Sequence, residues 1–426
     1  MVDLLIKNIR IMQTQPPFTV EEGMDVAIEG SLISKVGKNL ALEAKETIDG
    51  SGKTLIPGNV CAHHHYYSGL SRGMLISAGP QTDFIQVLKE WWWRLDRGLR
   101  EESTYYSSLI CSLDAIASGT TSCVDHHASP CYIEGSLSTI AKGMEEVEEG
   151  VAENIRFAKE VDERLKRGEE VLCESTIGGH APFTIPDEGL KLMGDAMEKT
   201  GRGMHIHVAE ASYDSVWSHH FYNKDLADRL DSFGLLTPKS LIVHGVHLSE
   251  KEIQLINERD CFFAVNPRSN MNNNIGCNTK LPMIKNLCLG TDGCGGNMFE
   301  EIKIGFFKHK DVTGPWWPSN FLEVLNRGNR LVESQFGGRI KLGKIEEGYT
   351  ADIVLLDYNN PTPLVTENAP GHFVWGMGSG CVNTTIVNGK VLFRDHKFVR
   401  SDASDIYKRA AEVAGELWKE VDKIKA

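Results

Sequence analysis

Met204-His-Ile-His-Val208 is a short, mostly apolar run followed two positions later by Glu210. Such a run reads as a buried strand, and its setting decides the architecture. Amphipathic helical stretches at Pro186–Thr200 and Ser249–Arg259 flank it, and another spans Ser103–Ser118. Further short apolar runs are Leu55-Ile56, Thr120–Val124, Leu241-Ile-Val243, Phe262-Phe-Ala-Val265 and Leu287-Cys-Leu289. Strand–helix alternation over this length predicts a parallel sheet, and the span suits a (β/α)8 barrel. The histidines of interest follow these strands, where a barrel of that kind carries its active site.

The chain ends have a different texture. Leu4 and Ile6, Val26 and Ile28, and Ile33 and Val36 alternate in strand fashion, with turns at Glu29-Gly30 and Gly37-Lys38. Asp352–Asp357, Thr384–Val387 and Val391–Phe393 repeat the pattern around Asn388-Gly389. The expected fold class is α/β: a (β/α)8 TIM-type barrel with a small composite β-sandwich drawn from both chain ends. The expected domains are residues 1–56 plus 340–400 for the β domain and 57–339 for the barrel. Residues 401–426 read as a charged amphipathic helix packed outside.

Composition narrows the function classes. The net charge of −13 gives a field that repels nucleic acid and anionic membrane surfaces. None of the ten cysteines forms a C-x-x-C pair, so they read as reduced thiols of a cytoplasmic protein. The same absence argues against the deaminase fold that grips zinc through P-C-x-x-C. The first residues lack the basic start and apolar run of a signal peptide, and no stretch approaches bilayer-spanning length.

Four constellations carry chemistry. In Pro57–His65, strand alternation turns His63 and His65 to one face and His64 to the other, and two imidazoles on one face are half of a metal site. In Met204–Glu210, His205 and His207 share a face, so either could be a ligand. Glu210, a carboxylate beside a ligand, can shuttle protons for a metal-activated water. His244 ends the run Leu241–His244, with His247 further into the loop. Asp292 follows a buried strand and precedes Gly293-Cys-Gly-Gly296; alone it would read as a turn residue, but in series with the histidines it reads as functional.

The order H-x-H, H-x-x-E, H, T-D-G resembles the amidohydrolase superfamily, in particular its guanine, cytosine, S-adenosylhomocysteine and triazine deaminase branch. The likeness extends to Gly119–Asp125, Gly179–Thr184, Asn266-Pro-Arg-Ser-Asn270 and Gly348–Asp352. Within the branch the sequence looks most like the SsnA-type aminohydrolases, through Trp92–Asp96, Asp125–Pro130, Asn270–Asn273 and Gly376–Gly380. The resemblance implies one divalent ion, Zn²⁺ ahead of Fe²⁺, on His63, His65, His207 and Asp292, and it selects His207 over His205. It implies that Glu210 moves protons, that His244 hydrogen-bonds the attacking oxygen or the developing oxyanion, and that Asp292 is also a second proton acceptor. His180 resembles the family's substrate-contacting histidine. No lysine stands where two-metal relatives bridge their ions, which implies a single metal. It also implies a homodimer or larger assembly.

Other residues are read beside these. Arg268 replaces a smaller family residue and is a candidate, with Asn270, for contact to a substrate carbonyl or carboxylate. Trp92, in Trp91-Trp92-Trp93, could stack on a heterocycle or pack as core. His126 and His127 follow a strand, so either could face the pocket, while His219 and His220 read as solvated. Gly69-Leu-Ser71-Arg-Gly73 matches the nucleophile elbow of serine hydrolases but lacks its strand-to-helix setting.

The function expected is hydrolysis of a C–N bond in a nitrogen heterocycle: deamination of a purine-, pyrimidine- or pterin-like substrate. Ring opening of a cyclic amide in purine breakdown is the alternative, and a metal-free interaction barrel is a third reading. One departure stands out. Between Val124 and Glu174 the family carries a strand and a helix, whereas Ser138–Gly168 reads as nearly continuous charged helix. Glu145-Glu-Val-Glu-Glu149 cannot be a buried barrel strand.

Overall fold

The structure is a computed structural model that describes residues 1–137, 139–140 and 150–425. By compactness the chain divides into two units. One comprises Met1–Ala62, Leu113–Val124 and Gly296–Ser401; the other comprises His63–Ser112, Asp125–Gly295 and Asp402–Ala426.

In the first unit, both chain ends build one sheet. Its strands are β1 (Val2–Met12), β2 (Val20–Glu29), β3 (Leu32–Gly37), β4 (Ala44–Asp49) and β5 (Thr54–Pro57) from the N-terminal end. After the barrel strands, β6 to β12, the chain returns as β13 (Ile353–Leu356), β14 (Val382–Val387), β15 (Lys390–Arg394) and β16 (Lys397–Phe398). Their order is β16-β15-β14-β13-β5-β1-β2-β3, with β4 also paired to β1. The antiparallel pair β5–β13, with Leu55 opposite Leu355, joins the two ends of the sequence. Period-two alternation turns Leu4, Ile6, Val26, Ile28, Leu55, Ile353, Leu355 and Ile386 into one core. Leu55-Ile56 belongs to this sheet, and the first barrel strand follows it. Asn388 and Gly389, at φ 49° and 76°, form the tight hairpin between β14 and β15.

The barrel strands are β6 (Asn59–His64), β7 (Thr120–Asp125), β8 (Ile177–Gly179), β9 (Met204–Val208), β10 (Leu241–His244), β11 (Phe262–Val265) and β12 (Leu287–Leu289). β8 to β12 pair in sequence order in one sheet, every pair parallel. β6 pairs with β7, and an isolated parallel bridge joins His64 to Asp292 just after β12. Helices Asp187–Thr200 and Glu250–Glu258 supply crossovers. Ser249 caps its helix, its hydroxyl accepting from the Glu252 N–H while Glu252 reaches back to the Ser249 N–H. The fold is the expected α/β one, a TIM-type barrel with a β-sandwich from both termini.

Seven barrel strands, rather than eight, stand among the described residues. Between β7 and β8 those residues give helix Gly150–Lys166 and no strand. The reading of Glu145–Glu149 lies outside the described residues. The C-terminal helix Ala403–Lys423 packs on the second unit, where Trp418 Nε1 donates to the Leu70 carbonyl at 2.7 Å.

Asp352, at the entry to β13, is 7% exposed and accepts the Asn388 N–H at 2.7 Å. Burial raises its pKa from 3.8 to about 6. A raised carboxyl favours the fold below its unfolded pKa, and that contribution is lost as pH climbs through the folded value. Thermal unfolding of Asp352→Asn against the parent should therefore shift in the variant's favour between pH 4 and pH 7, by on the order of 1–3 kcal/mol. A difference independent of pH would refute the assignment.

Candidate metal centre

Strand ends deliver the cluster. β6 carries His63, and His65 follows it on the same side, both at most 8% exposed. β9 supplies His207, β10 ends on His244, and Asp292 stands three residues past β12. His63 Nε2 lies 3.3 Å from both Asp292 Oδ1 and His207 Nε2, and His65 Nε2 is 2.7 Å from Asp292 Oδ1. Potential ligand atoms of His63, His207, His244 and Asp292 all fall within 4.8 Å of one another, as do those of His65, His126 and His207.

The far side of each ring fixes which nitrogen faces inward. His65 Nδ1 donates to the His126 carbonyl at 2.5 Å and His207 Nδ1 to the His180 carbonyl at 2.8 Å. A carbonyl only accepts, so each Nε2 is left with a lone pair directed at the cluster. His63 Nδ1 meets His205 Nε2 at 2.9 Å. That places His205 behind His63 and distinguishes the two histidines that strand alternation left equivalent. His64 turns away and donates from Nδ1 to the Asp292 carbonyl at 2.7 Å. Converging imidazole lone pairs beside a buried carboxylate repel one another unless a cation lies among them. With N–H groups anchored on backbone carbonyls, this donor set fits a borderline-soft divalent ion.

Backbone geometry bears the same mark. Ala209, His244 and Asp292 have φ of 49°, 69° and 53°, left-handed values that side-chain-bearing residues seldom adopt. Three strand ends therefore break at the cluster. The Asp214 carboxylate steadies one of them by accepting the Ala209 N–H at 2.7 Å.

Electrostatics follow from burial. Desolvation lowers the pKa of His63 to about 3 and drives His207 well below its ordinary value. For His65 burial acts the same way, but the Asp292 charge outweighs it and the pKa is raised. Burial would raise Asp292, yet His65 and His63 hold it well below the usual carboxylate range. Burial, then the charges of Asp292 and Asp214, push Glu210 well up. His244 Nε2 sits 3.5 Å from Glu210 Oε2, and its Nδ1 makes its shorter contact, 2.9 Å, with Asn270 Oδ1.

A cleft opens onto the cluster, lined by His65, His180, His207, Glu210 and Asp292 together with Trp92, Trp93 and Phe84. Trp92 and His180 thus reach the cleft. Trp92 lies in a wider, π-helical turn at Leu88–Trp92, a local distortion common at functional sites. Asn270 is on His244 instead, and Arg268 Nη2 donates to the Gly295 carbonyl at 2.7 Å. His247 bonds the Ile275 carbonyl, and His219 pairs with Asp225 outside the cleft. Ser71 ends a 3-10 turn and donates to the Ser68 carbonyl, which is not a strand-to-helix elbow. Sequence reading gave no role to Tyr67 and Asp96, which also line the cleft, or to Ser269, whose hydroxyl donates to Asp292 Oδ2. Burial raises Asp96 to about 7. Their signal was only proximity to named motifs.

A family model described as Amidohydrolase family matches residues 54–392. The chain is 29% identical to a 5'-deoxyadenosine deaminase of Methanosarcina mazei, covering 98% of this chain and 99% of that one. It is 28% identical to a 5-methylthioadenosine/S-adenosylhomocysteine deaminase of Thermococcus sibiricus, over 86% and 89%. Among solved structures, an adenosine deaminase of Xanthomonas campestris with bound zinc superposes with a TM-score of 0.84 at 21% identity, over 98% and 99%.

Two measurements test the centre. Purified protein should carry about one divalent ion per chain by elemental analysis, and His207→Ala should lose it while Glu210→Gln keeps it. A Cβ on Gly290 would stand 2.8 Å from His63 Cβ and 2.9 Å from His63 N. Gly290→Ala should therefore lower occupancy while the circular dichroism of the fold persists. Full occupancy in both His207→Ala and Gly290→Ala would overturn the site.

Proposed function

The chain belongs to the amidohydrolase family, metal-dependent hydrolases of non-peptide C–N bonds, and on that premise we propose that it removes an exocyclic amino group from a purine-like ring. Adenine nucleosides are the first candidates, supported by the activities named for the Methanosarcina and Thermococcus relatives. One observation carries the reading. Glu210, outside the proposed ligand set, lines the same cleft as His207 and Asp292 and faces His244 Nε2.

We assign His63, His65, His207 and Asp292 as ligands of one ion, with zinc supported by the zinc in the Xanthomonas structure. Such an ion supplies Lewis acidity and a water activated near neutral pH. The protein's own groups then handle protons and position. Glu210 takes a proton from the attacking water and returns it to the substrate, so that ammonia rather than an amide anion departs. His244, its Nδ1 on Asn270, presents Nε2 to orient that water. Asp292 serves as second proton acceptor. Trp92 offers an aromatic face and His180 a hydrogen bond to the ring. The reaction consumes one water and yields one ammonia and the ring carbonyl.

The finer kinship we propose is with SsnA-type aminohydrolases, supported by the runs Asp125–Pro130 and Asn270–Asn273. Arg268, engaged with Gly295, would reach a substrate only by releasing that carbonyl.

Incubation with a panel of aminopurines and their nucleosides should release ammonia in step with product formed. Glu210→Gln should lower kcat by roughly 10²–10⁴ with the ion retained. A product heavier by one water, without ammonia, would replace deamination with ring opening. Loss of less than threefold in Glu210→Gln would remove Glu210 from the proton path.

A further inference from the structure

His126, the residue after β7, has no part in the mechanism above, yet its ring stands among the proposed ligands. Its centroid is 4.4 Å from that of His207, 5.4 Å from His65 and 5.9 Å from His63. The three assigned ligand rings are themselves 4.8, 5.0 and 5.2 Å apart. Imidazoles sharing one ion at metal–nitrogen distances of about 2.0–2.1 Å have centroids about 5 Å apart, and the His126 separations fall on either side of that value.

The hydrogen bonding of His126 matches that of a ligand. Its Nε2 is 2.9 Å from the Gly179 carbonyl, an acceptor only, so Nε2 carries the proton and Nδ1 a lone pair. That is the arrangement of His65 and His207, with one N–H on a backbone carbonyl and the other nitrogen turned inward. The residue is 5% exposed, and Nδ1 has no hydrogen-bond partner. An unpaired buried acceptor costs about 1–3 kcal/mol. The neighbouring rings of His65 and His207 cannot satisfy it, because their N–H groups are spent on carbonyls.

The set His65–His126–His207 shares His207 with the set His63–His207–His244–Asp292. An imidazole nitrogen has one lone pair, so the two sets cannot hold separate ions through the same His207 nitrogen. The two sets meet at His207, whose one inward nitrogen can serve a single ion.

We propose that His126 is an additional ligand of the single divalent ion, making four histidines and one aspartate rather than three histidines and one aspartate. This rests on the metal-centre reading above and extends its ligand set. Five protein ligands leave less room for solvent than the four-coordinate arrangement typical of zinc, and they suit an ion of higher coordination number. His126 would also tie the ion to Gly179 of β8 through its far nitrogen.

Cobalt(II) substitution provides the test, because each ligating imidazole retains one exchangeable N–H whose proton resonance the paramagnetic ion shifts far downfield. Wild type should show four such resonances and His126→Gln three, with chelator extraction of cobalt more than tenfold faster in the variant. His244→Gln should keep all four. X-ray absorption of the wild-type zinc protein counts imidazoles without any variant and should fit four. Three resonances in wild type, or an unchanged count in His126→Gln, would overturn the proposal while leaving the metal centre intact. A protein that binds no cobalt would overturn both.

Discussion

An imidazole presents one nitrogen in a fixed direction when the other is anchored; here backbone carbonyls at neighbouring strand ends anchor three rings of the cluster, while His63 Nδ1 meets the His205 ring. His65 is held by the carbonyl of His126, His126 by that of Gly179 and His207 by that of His180. Each anchor belongs to a different part of the strand sequence from the ring it orients. The cluster therefore depends on strand order, and it cannot be assembled by any one segment. The same contacts bear on the fold. Among the described residues no strand lies between β7 and β8, and the His126 ring links the end of β7 to the Gly179 carbonyl of β8.

Stiffness comes from strain accepted at the strand ends. A left-handed residue other than glycine costs roughly 1–2 kcal/mol, and Ala209, His244 and Asp292 all adopt that conformation. Each is offset locally. Asp214 accepts from Ala209, Asn270 accepts from His244, and the Asp292 N–H donates to the His63 carbonyl at 3.1 Å. Gly290 is needed for a related reason, since the chain there runs against His63 too closely for any side chain. Such an arrangement holds lone pairs at fixed separations, which is what a site must do if binding an ion is not to reorganise it.

Much of this was legible in the sequence. Alternation in Pro57–His65 separates His64 from its neighbours, and strand ends followed by histidine, glutamate or aspartate announce a barrel active face. Alternation could not choose between His205 and His207, because both lie on one side of β9; the choice depends on where His63 of another strand stands. Asp96, Tyr67 and Ser269 were invisible for the same reason, each acquiring its meaning from residues distant in sequence. Arg268 is a charged residue inside a recognisable motif, and one of its N–H groups donates to the Gly295 carbonyl, a partner that the sequence pattern did not indicate. Leu55-Ile56 reads as a buried strand that either sheet could hold, and its pairing with β13 places it in the sheet of the chain ends.

The charges of the cluster form a single coupled system. Burial, then the charges of Asp292 and Asp214, raise Glu210 well above its ordinary pKa, while His65 and His63 hold Asp292 well below its own. A dication among the ligands reverses the local field, since its charge exceeds that of the one carboxylate it meets. Two carboxylates and one dication sum to zero, so ionised Glu210 is the partner that the charged centre lacks. On the proposed ligand set, a proton on Glu210 and an ion in the centre would compete for the same electrostatic role. The position of Glu210, close enough to feel Asp292 yet turned toward His244, suits a base that becomes available only when the centre is charged.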